Sequence, residues 1–236
     1  MKEKLIKIKD KILDAIFPDN ITCIICGRDI AEGHICNSCQ NSDIFNNKNR
    51  CVVCDTPIKE GNKICDFCKN KKKVVKSVSC PLLYNNTTRK SILKLKSDGG
   101  KYLAKYMAEL IYKRLQDDDI DFDIIVPVPS HKKTIAKRGY NPAKVLADEL
   151  SALTDKAVVD CLIKTVHTKN QKFLDFQTRQ SNLENSITIT DPKIVKDKIV
   201  LIVDDIITTG ATIETCAHLM HKAKGIHACA VARRTI

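Results

Sequence analysis

The sequence predicts an α/β protein in which helices cover both faces of a parallel sheet and a small metal-binding domain precedes the sheet. Two patterns support this class. Apolar strands alternate with amphipathic helices in the second half of the chain, and four C-x-x-C pairs are concentrated near its start. With 236 residues, 43% of them hydrophobic and 29% charged, the chain can form one ordinary domain and a small one.

The chain divides into three parts by composition. Residues 5–16 carry apolar side chains near helical spacing, which predicts an amphipathic helix within residues 1–20. Residues 21–72 are polar and lack apolar periodicity, so side chains alone cannot form a stable core there and a cross-link such as a bound metal is needed. We therefore expect a double zinc ribbon in this segment. Residues 77–236 hold the repeating pattern of the α/β domain.

The elements of the α/β domain follow from continuous apolar runs and from helical periodicity. Strands that are apolar throughout indicate a parallel sheet buried on both faces. The strands are predicted at residues 78–84, 124–126, 157–163, 199–203 and 228–232, and the helices at 88–96, 101–116, 142–153 and 212–223.

Hydropathy and charge bear on where the protein is located and on what it contacts. No apolar run approaches the roughly 20 residues of a membrane-spanning helix, and charges interrupt the first residues, unlike a signal peptide. We therefore expect a cytoplasmic protein without membrane insertion. The formal net charge is +12, which eight zinc-bound thiolates would reduce to about +8. That excess is compatible with nucleic-acid contact and also with an ordinary solvated surface.

The first eight of the twelve cysteines form the C-x-x-C pairs, each able to present two thiolates to one ion. They predict two structural Zn²⁺ sites closed by four thiolates each. Sequential and cross-braced pairing both satisfy this stoichiometry, and short internal gaps favour sequential pairing. The first ion would then take Cys23, Cys26, Cys36 and Cys39, and the second Cys51, Cys54, Cys65 and Cys68. The cysteines without this spacing are predicted to be small buried side chains: Cys80, Cys161, Cys216 and Cys229.

Two carboxylates, Asp204 and Asp205, follow the apolar strand at 199–203, at the strand end where α/β sheets bind ligands. A loop of small and hydroxyl residues then opens a helix whose free N–H groups can hold a phosphate. Carboxylates accept hydrogen bonds from vicinal hydroxyls, so the segment predicts a ribose 5-phosphate site. The phosphate would lie against Thr208, Thr209, Gly210, Ala211 and Thr212.

This segment resembles the phosphoribosyl-pyrophosphate (PRPP) motif of the type I phosphoribosyltransferases, in which four apolar and two acidic residues precede a T-T-G-x-T loop. The resemblance implies a parallel-sheet, type I phosphoribosyltransferase-like domain that binds PRPP with Mg²⁺. It also makes Asp204 and Asp205 the candidate catalytic residues. The sequence supplies no obvious general base or nucleobase pocket, so it does not decide whether PRPP is converted to a product or only bound.

A second segment is similar to the ComF-family competence proteins, whose P-V-P…R-G-[FY]-N pattern is matched by residues 127–129 and 138–141. Further matches fall at residues 17–18, 93–100 and 168–182. The resemblance implies a role in DNA uptake during natural transformation, with single-stranded DNA and proteins of the uptake machinery as partners. Arg138 is the predicted anion contact in a loop that also carries Lys132, Lys133 and Lys137.

Three functions stay open from the sequence. The first is a phosphoribosyltransferase that transfers ribose 5-phosphate from PRPP to an unknown acceptor. The second is a PRPP-binding module of DNA uptake, and the third is a regulator that reads PRPP as a signal. Residues 165–182 are predicted to form a lid, with Arg179 either over the site or in a surface ion pair.

Overall fold

The computed structural model describes residues 22–46, 49–97, 99–165 and 186–235. Within these residues the centre is a six-stranded parallel sheet. Its strands are β1 (Ser77–Ser79), β2 (Leu82–Leu83), β3 (Ile124–Pro127), β4 (Ala157–Val158), β7 (Ile199–Ile207) and β8 (Gly225–Arg233), and a separate antiparallel pair consists of β5 (Leu162–Lys164) and β6 (Ile187–Ile189). The order across the sheet is β1-β8-β7-β3-β4, with β2 also paired to β8. The α/β class is confirmed.

Three of the described α-helices begin at a residue whose side chain caps them. Asn85 and Thr88 form a reciprocal capping box at one helix start, and Asn141 caps another that opens with Pro142. In the described residues no helix is both long and apolar enough to cross a bilayer. The helices are α1 (Asn37–Gln40), α2 (Asp66–Lys69), α3 (Asn86–Leu95), α4 (Leu103–Asp117), α5 (Lys132–Arg138), α6 (Pro142–Thr154) and α7 (Ala211–Leu219), with a 3-10 turn at Pro192–Val195.

Strand β7 lies between β3 and β8 and is packed on both faces. Because side chains alternate along a strand, Leu201 and Val203 face the cluster formed with α4 and α6. Val200 and Ile202 face the opposite cluster, which includes residues of α7. All four side chains are fully buried. The strand therefore delivers its carboxyl end to a fixed place at the sheet edge.

Several expectations about elements need correction. The strand predicted at 78–84 is divided into β1 and β2, and the helix predicted at 212–223 ends at Leu219. The strand predicted at 157–163 is divided between β4 in the main sheet and β5 in the antiparallel pair. The strand predicted at 199–203 continues to Ile207, so both aspartates belong to the strand itself. The segment treated as a loop after Pro129 contains α5. The amphipathic helix predicted within residues 1–20 lies outside the described residues.

The first ribbon, residues 22–46, shares the core of the α/β domain. Ile24, Ile25 and Ile44 are buried in the same cluster as Leu103 of α4. The second ribbon, residues 49–69, has only a small cluster of its own around Cys51, Cys54 and Cys68. It must therefore be held to the domain by other means.

A buried ion network joins the second ribbon to α4. Asp55 is fully buried, and its Oδ1 accepts hydrogen bonds from Arg114 at 2.8 Å and Arg50 at 3.1 Å. Its Oδ2 accepts the backbone N–H of Cys80 at 2.6 Å. Arg114 also pairs with Asp118 at 3.0 Å. Burial raises the pKa of Asp55 to about 6, and the positive charge of Arg114 opposes that rise.

Arg114→Leu is expected to lower the free energy of unfolding by about 3–5 kcal/mol, because it leaves the buried Asp55 without its main counter-charge. Urea denaturation of the zinc-loaded protein measures the change. Lys144→Leu is the control, since Lys144 pairs with the half-exposed Asp148 along one helix, and such pairs contribute only about 0.3–0.5 kcal/mol. Equal losses in the two variants would contradict the assignment.

Candidate functional site

The eight paired cysteines form two separate clusters. In each cluster the four Sγ atoms lie within 4.8 Å of one another. The first cluster unites the first two C-x-x-C pairs and the second unites the last two, so sequential pairing is confirmed and cross-bracing is wrong. The cysteines without C-x-x-C spacing are buried, as predicted: Cys80, Cys161, Cys216 and Cys229.

The geometry of both clusters fits tetrahedral zinc. With a Zn–S bond of about 2.3 Å, tetrahedral sulfurs lie about 3.8 Å apart. The Sγ atoms of Cys26 and Cys36 are 3.7 Å apart, and those of Cys54 and Cys65 are 3.6 Å apart. Burial opposes ionisation of Cys26, but hydrogen bonds from Arg28 help to lower its pKa to about 6, which favours the metal-binding thiolate. Four thiolates would close each site around one ion, which is consistent with two structural zinc sites.

A cleft of about 300 Å³ lies at the carboxyl ends of β3 and β7. It contains four of the residues that the sequence assigned to ligand binding: Asp204, Asp205, Thr212 and Arg138. Two further cations, Lys96 and Lys164, also line it. Carboxylates, cations and a helix start thus share one concave surface at the edge of the sheet.

A hydrogen bond joins the two aspartates where they line this cleft. Asp205 is 9% exposed, and its backbone N–H donates to Oδ1 of Asp204 at 2.8 Å. Burial, and next the negative charge of Asp205, raise the pKa of Asp204 to about 7, against the opposing charges of Lys96 and Lys164. Carboxylate oxygens held in this way can accept hydrogen bonds from neighbouring hydroxyls.

Arg138 reaches the cleft from the last turn of α5. Gly139 caps the end of this helix, and its φ of 87° lies in the left-handed region that favours glycine. Asn141 fixes the base of this segment, since its Nδ2 donates to the Val128 carbonyl at 2.9 Å and its Oδ1 accepts from Ser130 at 2.9 Å. The lysines of the same segment are exposed and are not among the residues lining this cleft: Lys132, Lys133 and Lys137.

The predicted phosphate loop is only partly inside the cleft. Of its residues Thr212 lines the cleft, whereas Thr209 and Gly210 line a cavity of about 20 Å³ beside the second ribbon. Thr208 is exposed and Ala211 is half-buried. Gly210 has a φ of 80° and immediately precedes α7. The loop thus stands between the cleft and the ribbon.

Groups behind the phosphate loop hold it from the ribbon side. Buried Arg233 donates to the carbonyls of Ile207, at 3.3 Å, and Thr208. Glu214 of α7 accepts the backbone N–H of Val74 at 3.1 Å and lies 3.5 Å from Nζ of Lys73. The chain that leaves the second ribbon is therefore bonded to the helix that follows the loop.

Sequence reasoning did not assign Lys96 and Lys164 to the site. Lys96 follows α3, and its Nζ lies 2.5 Å from Oδ1 of Asp205. Its place in the L-K-x-K segment before two glycines was a usable signal, whereas Lys164 lies in a strand pattern without a local signal. Residues 166–185 lie outside the described residues, so the predicted lid and Arg179 stay predictions.

Comparison with protein families agrees with this arrangement. The model of the phosphoribosyl transferase domain matches residues 100–235, more than half of the chain. The model of the double zinc ribbon domain matches residues 12–69. The chain belongs to the phosphoribosyl transferase domain family and carries a double zinc ribbon before that domain.

Curated relatives cover most of the chain. Competence protein F of Haemophilus influenzae is 26% identical over 212 residues, which is 86% of this chain and 92% of that protein. The DNA utilization protein YhgH of Escherichia coli K12 is 27% identical over 206 residues, 84% of this chain and 89% of that protein. The resemblance to the ComF family is thereby confirmed.

Solved structures add little to this assignment. Adenine phosphoribosyltransferase from Thermoanaerobacter pseudethanolicus matches with 21% identity and a TM-score of 0.36 over 58% of this chain and 67% of that chain. The glutamine PRPP amidotransferase from B. subtilis matches with 18% identity and a TM-score of 0.36, over 61% of this chain and 27% of that chain. At these TM-scores neither likeness supports a functional conclusion.

Cys39→Ser is expected to reduce the zinc content from two ions per chain to one, because each cluster closes with its own four thiolates. Mass-spectrometric metal analysis of the purified protein measures the content. Cys161→Ala is the control, since Cys161 is buried outside both clusters and its replacement should leave two ions. A variant at Cys39 that still holds two ions would contradict the assigned ligand set.

Proposed function

We propose that this chain binds PRPP with Mg²⁺ in the cleft at Asp204 and Asp205 and acts in DNA uptake during natural transformation. The observation that carries the proposal is the shared cleft in which the two carboxylates lie together with Arg138, Lys164 and the start of α7. A ribose with phosphate groups at two ends matches this set of acceptors, cations and helix N–H groups. Membership of the phosphoribosyl transferase domain family supports the same ligand.

Each part of the proposed ligand has a matching group in the protein. The vicinal hydroxyls would donate to Asp204 and Asp205, and the 5-phosphate would lie against residues 208–212. Arg138 and Lys164 would contact the pyrophosphate. Carboxylate oxygens also suit Mg²⁺, which keeps several waters and binds through few carboxylates together with substrate phosphates. When bound, Mg²⁺ would neutralise part of the pyrophosphate charge.

The DNA-uptake role follows from the relatives and from the charge of the chain. Competence protein F and the DNA utilization protein YhgH match over more than four fifths of the chain. The proposed place of action is the cytoplasm, where reducing conditions keep cysteine thiolates available for zinc. Proteins of the uptake machinery are the proposed protein partners.

A surface of the second ribbon supports contact with single-stranded DNA. Phe67 is 36% exposed, and the ammonium group of the exposed Lys71 lies 4.5 Å from the centre of its ring. The ammonium group of Lys73 lies 5.2 Å from the same centre, but it is paired with Glu214 and its side chain is only 15% exposed. Val52 of the same ribbon is 55% exposed. An exposed ring among lysines is the combination that stacks on bases while cations bind the strand's phosphates. We name the surface of Phe67 and Lys71 the ribbon patch.

The second candidate function is phosphoribosyl transfer from PRPP to an unknown acceptor. The observation that favours it is the cluster of cations at the cleft, since Arg138 and Lys164 could stabilise a departing pyrophosphate. The aspartates would hold the ribose in place while C1 reacts. Pyrophosphate release from PRPP with a panel of nucleobases would support transfer, and saturable binding without release would support the binding module.

Asp205→Asn is expected to weaken Mg²⁺-PRPP binding by roughly 10- to 100-fold, because it replaces charged acceptors worth about 1.5–3 kcal/mol per hydrogen bond. Isothermal titration calorimetry of the zinc-loaded protein measures the dissociation constant. Asp148→Asn, on the exposed side of α6, is the matched control and should bind like the wild type. A wild type without saturable PRPP binding would refute the proposed ligand.

Phe67→Ala is expected to weaken binding to a single-stranded oligonucleotide by about 1–3 kcal/mol, the usual contribution of a stacked base. Fluorescence anisotropy at several salt concentrations measures the affinity, which should fall steeply with salt. Ile194→Ala is the control because Ile194 is also exposed, at 48%, but lies outside the ribbon patch. Equal affinities of the two variants would place DNA contact elsewhere.

A further inference from the structure

Lys96 forms an ion pair with Asp205, one of the two carboxylates on which the proposed function depends. Its Nζ lies 2.5 Å from Oδ1 of Asp205, and the two side chains are only 26% and 13% exposed. Both residues line the cleft. An ion pair shielded to this degree is screened less by salt and water than a surface pair. A sugar hydroxyl that is to donate to Asp205 must therefore compete with an ammonium group already in place.

The backbone around Lys96 is fixed by close contacts. A Cβ added to Gly100 would lie 1.7 Å from the carbonyl oxygen of Lys94, so only glycine allows this approach. The hydroxyl of Tyr140 donates to the carbonyls of Leu95 and, at 3.0 Å, Ser97. The end of α3 is thereby tied to the segment that carries Arg138. Lys96 is presented to the cleft by a constrained turn rather than by a free loop.

The balance of charge in the cleft favours a ligand with a second anionic group. Among the described residues, two carboxylates and three cations line the cleft: Asp204, Asp205, Lys96, Arg138 and Lys164. A ligand with a diol and a single phosphate on the loop at residues 208–212 would take Asp205 from Lys96 and leave that ammonium group without a counter-charge. A ligand with a further phosphate group on C1 would supply a new counter-charge for Lys96 when its diol binds Asp205.

We propose that Lys96 is a specificity-determining residue: it pairs with Asp205 in the free protein, and an anionic group on C1 of the ribose draws it away. The cleft thereby accepts ribose 5-phosphate that carries pyrophosphate at C1 and discriminates against ribose 5-phosphate itself. This inference rests on the proposed function and adds the reason why one phosphorylated ribose is selected over another. The discrimination comes from the loss of a pre-existing partner.

The test compares Mg²⁺-PRPP and ribose 5-phosphate on the full, zinc-loaded chain by isothermal titration calorimetry. In Lys96→Met we expect PRPP to bind more weakly and ribose 5-phosphate more tightly. The dissociation constant of ribose 5-phosphate divided by that of PRPP should then fall by about tenfold or more, which corresponds to about 1.4 kcal/mol. Lys94→Met is the matched control, because Lys94 is an exposed cation two residues before Lys96, within α3, and its Nζ lies 5.3 Å from the ring centre of Tyr102. It should leave both constants unchanged.

The outcomes separate this inference from the function beneath it. Lys96→Arg keeps the charge and should retain most of the wild-type preference, and thermal unfolding of each variant shows whether it is folded. If the wild type binds PRPP but Lys96→Met does not bind ribose 5-phosphate more tightly, Lys96 is not the selector and the proposed function stands. If the wild type binds neither ligand, both the inference and the proposed function are refuted.

Discussion

The burial of β7 on both faces determines where polar chemistry can occur in this protein. A strand held between β3 and β8 must present apolar side chains in both directions, so charged groups are tolerated only where the strand reaches the sheet edge. Asp204 and Asp205 lie at that point, and three cations from other parts of the chain line the same cleft. The acidic pair is thus sustained by groups that are far from it in sequence, and the cleft exists only in the complete fold.

The two ribbons contribute to this fold in different ways. The first adds isoleucines to the main apolar core, while the second depends on the network of Asp55, Arg50 and Arg114. The chain beyond the second ribbon then bonds to Glu214 of α7, directly behind the phosphate loop. A zinc domain that would otherwise be an appendage therefore supports one wall of the cleft. This connection gives a physical reason for the two domains to occur in one chain.

Much of the fold was predictable because its signals are local. The apolar run before Asp204 predicted both a buried strand and a site at its end, and C-x-x-C spacing predicted both metal clusters. The division of residues 157–163 was not predictable, since it depends on pairing with the distant β6. Lys96 and Asp55 were missed as key residues for the same reason. Their partners, Asp205 and Arg114, come from remote parts of the chain.

Asp55 immediately follows Cys54, so two adjacent residues serve the metal cluster and the contact with α4. A substitution of Cys54 in a genetic experiment would therefore also affect Asp55. A bacterial strain with an altered Cys54 that no longer takes up DNA would report the combined loss of an ion and of a domain contact. Such an allele would carry no separate information about the metal, because the contact of Asp55 with Arg114 would be disturbed together with the second cluster.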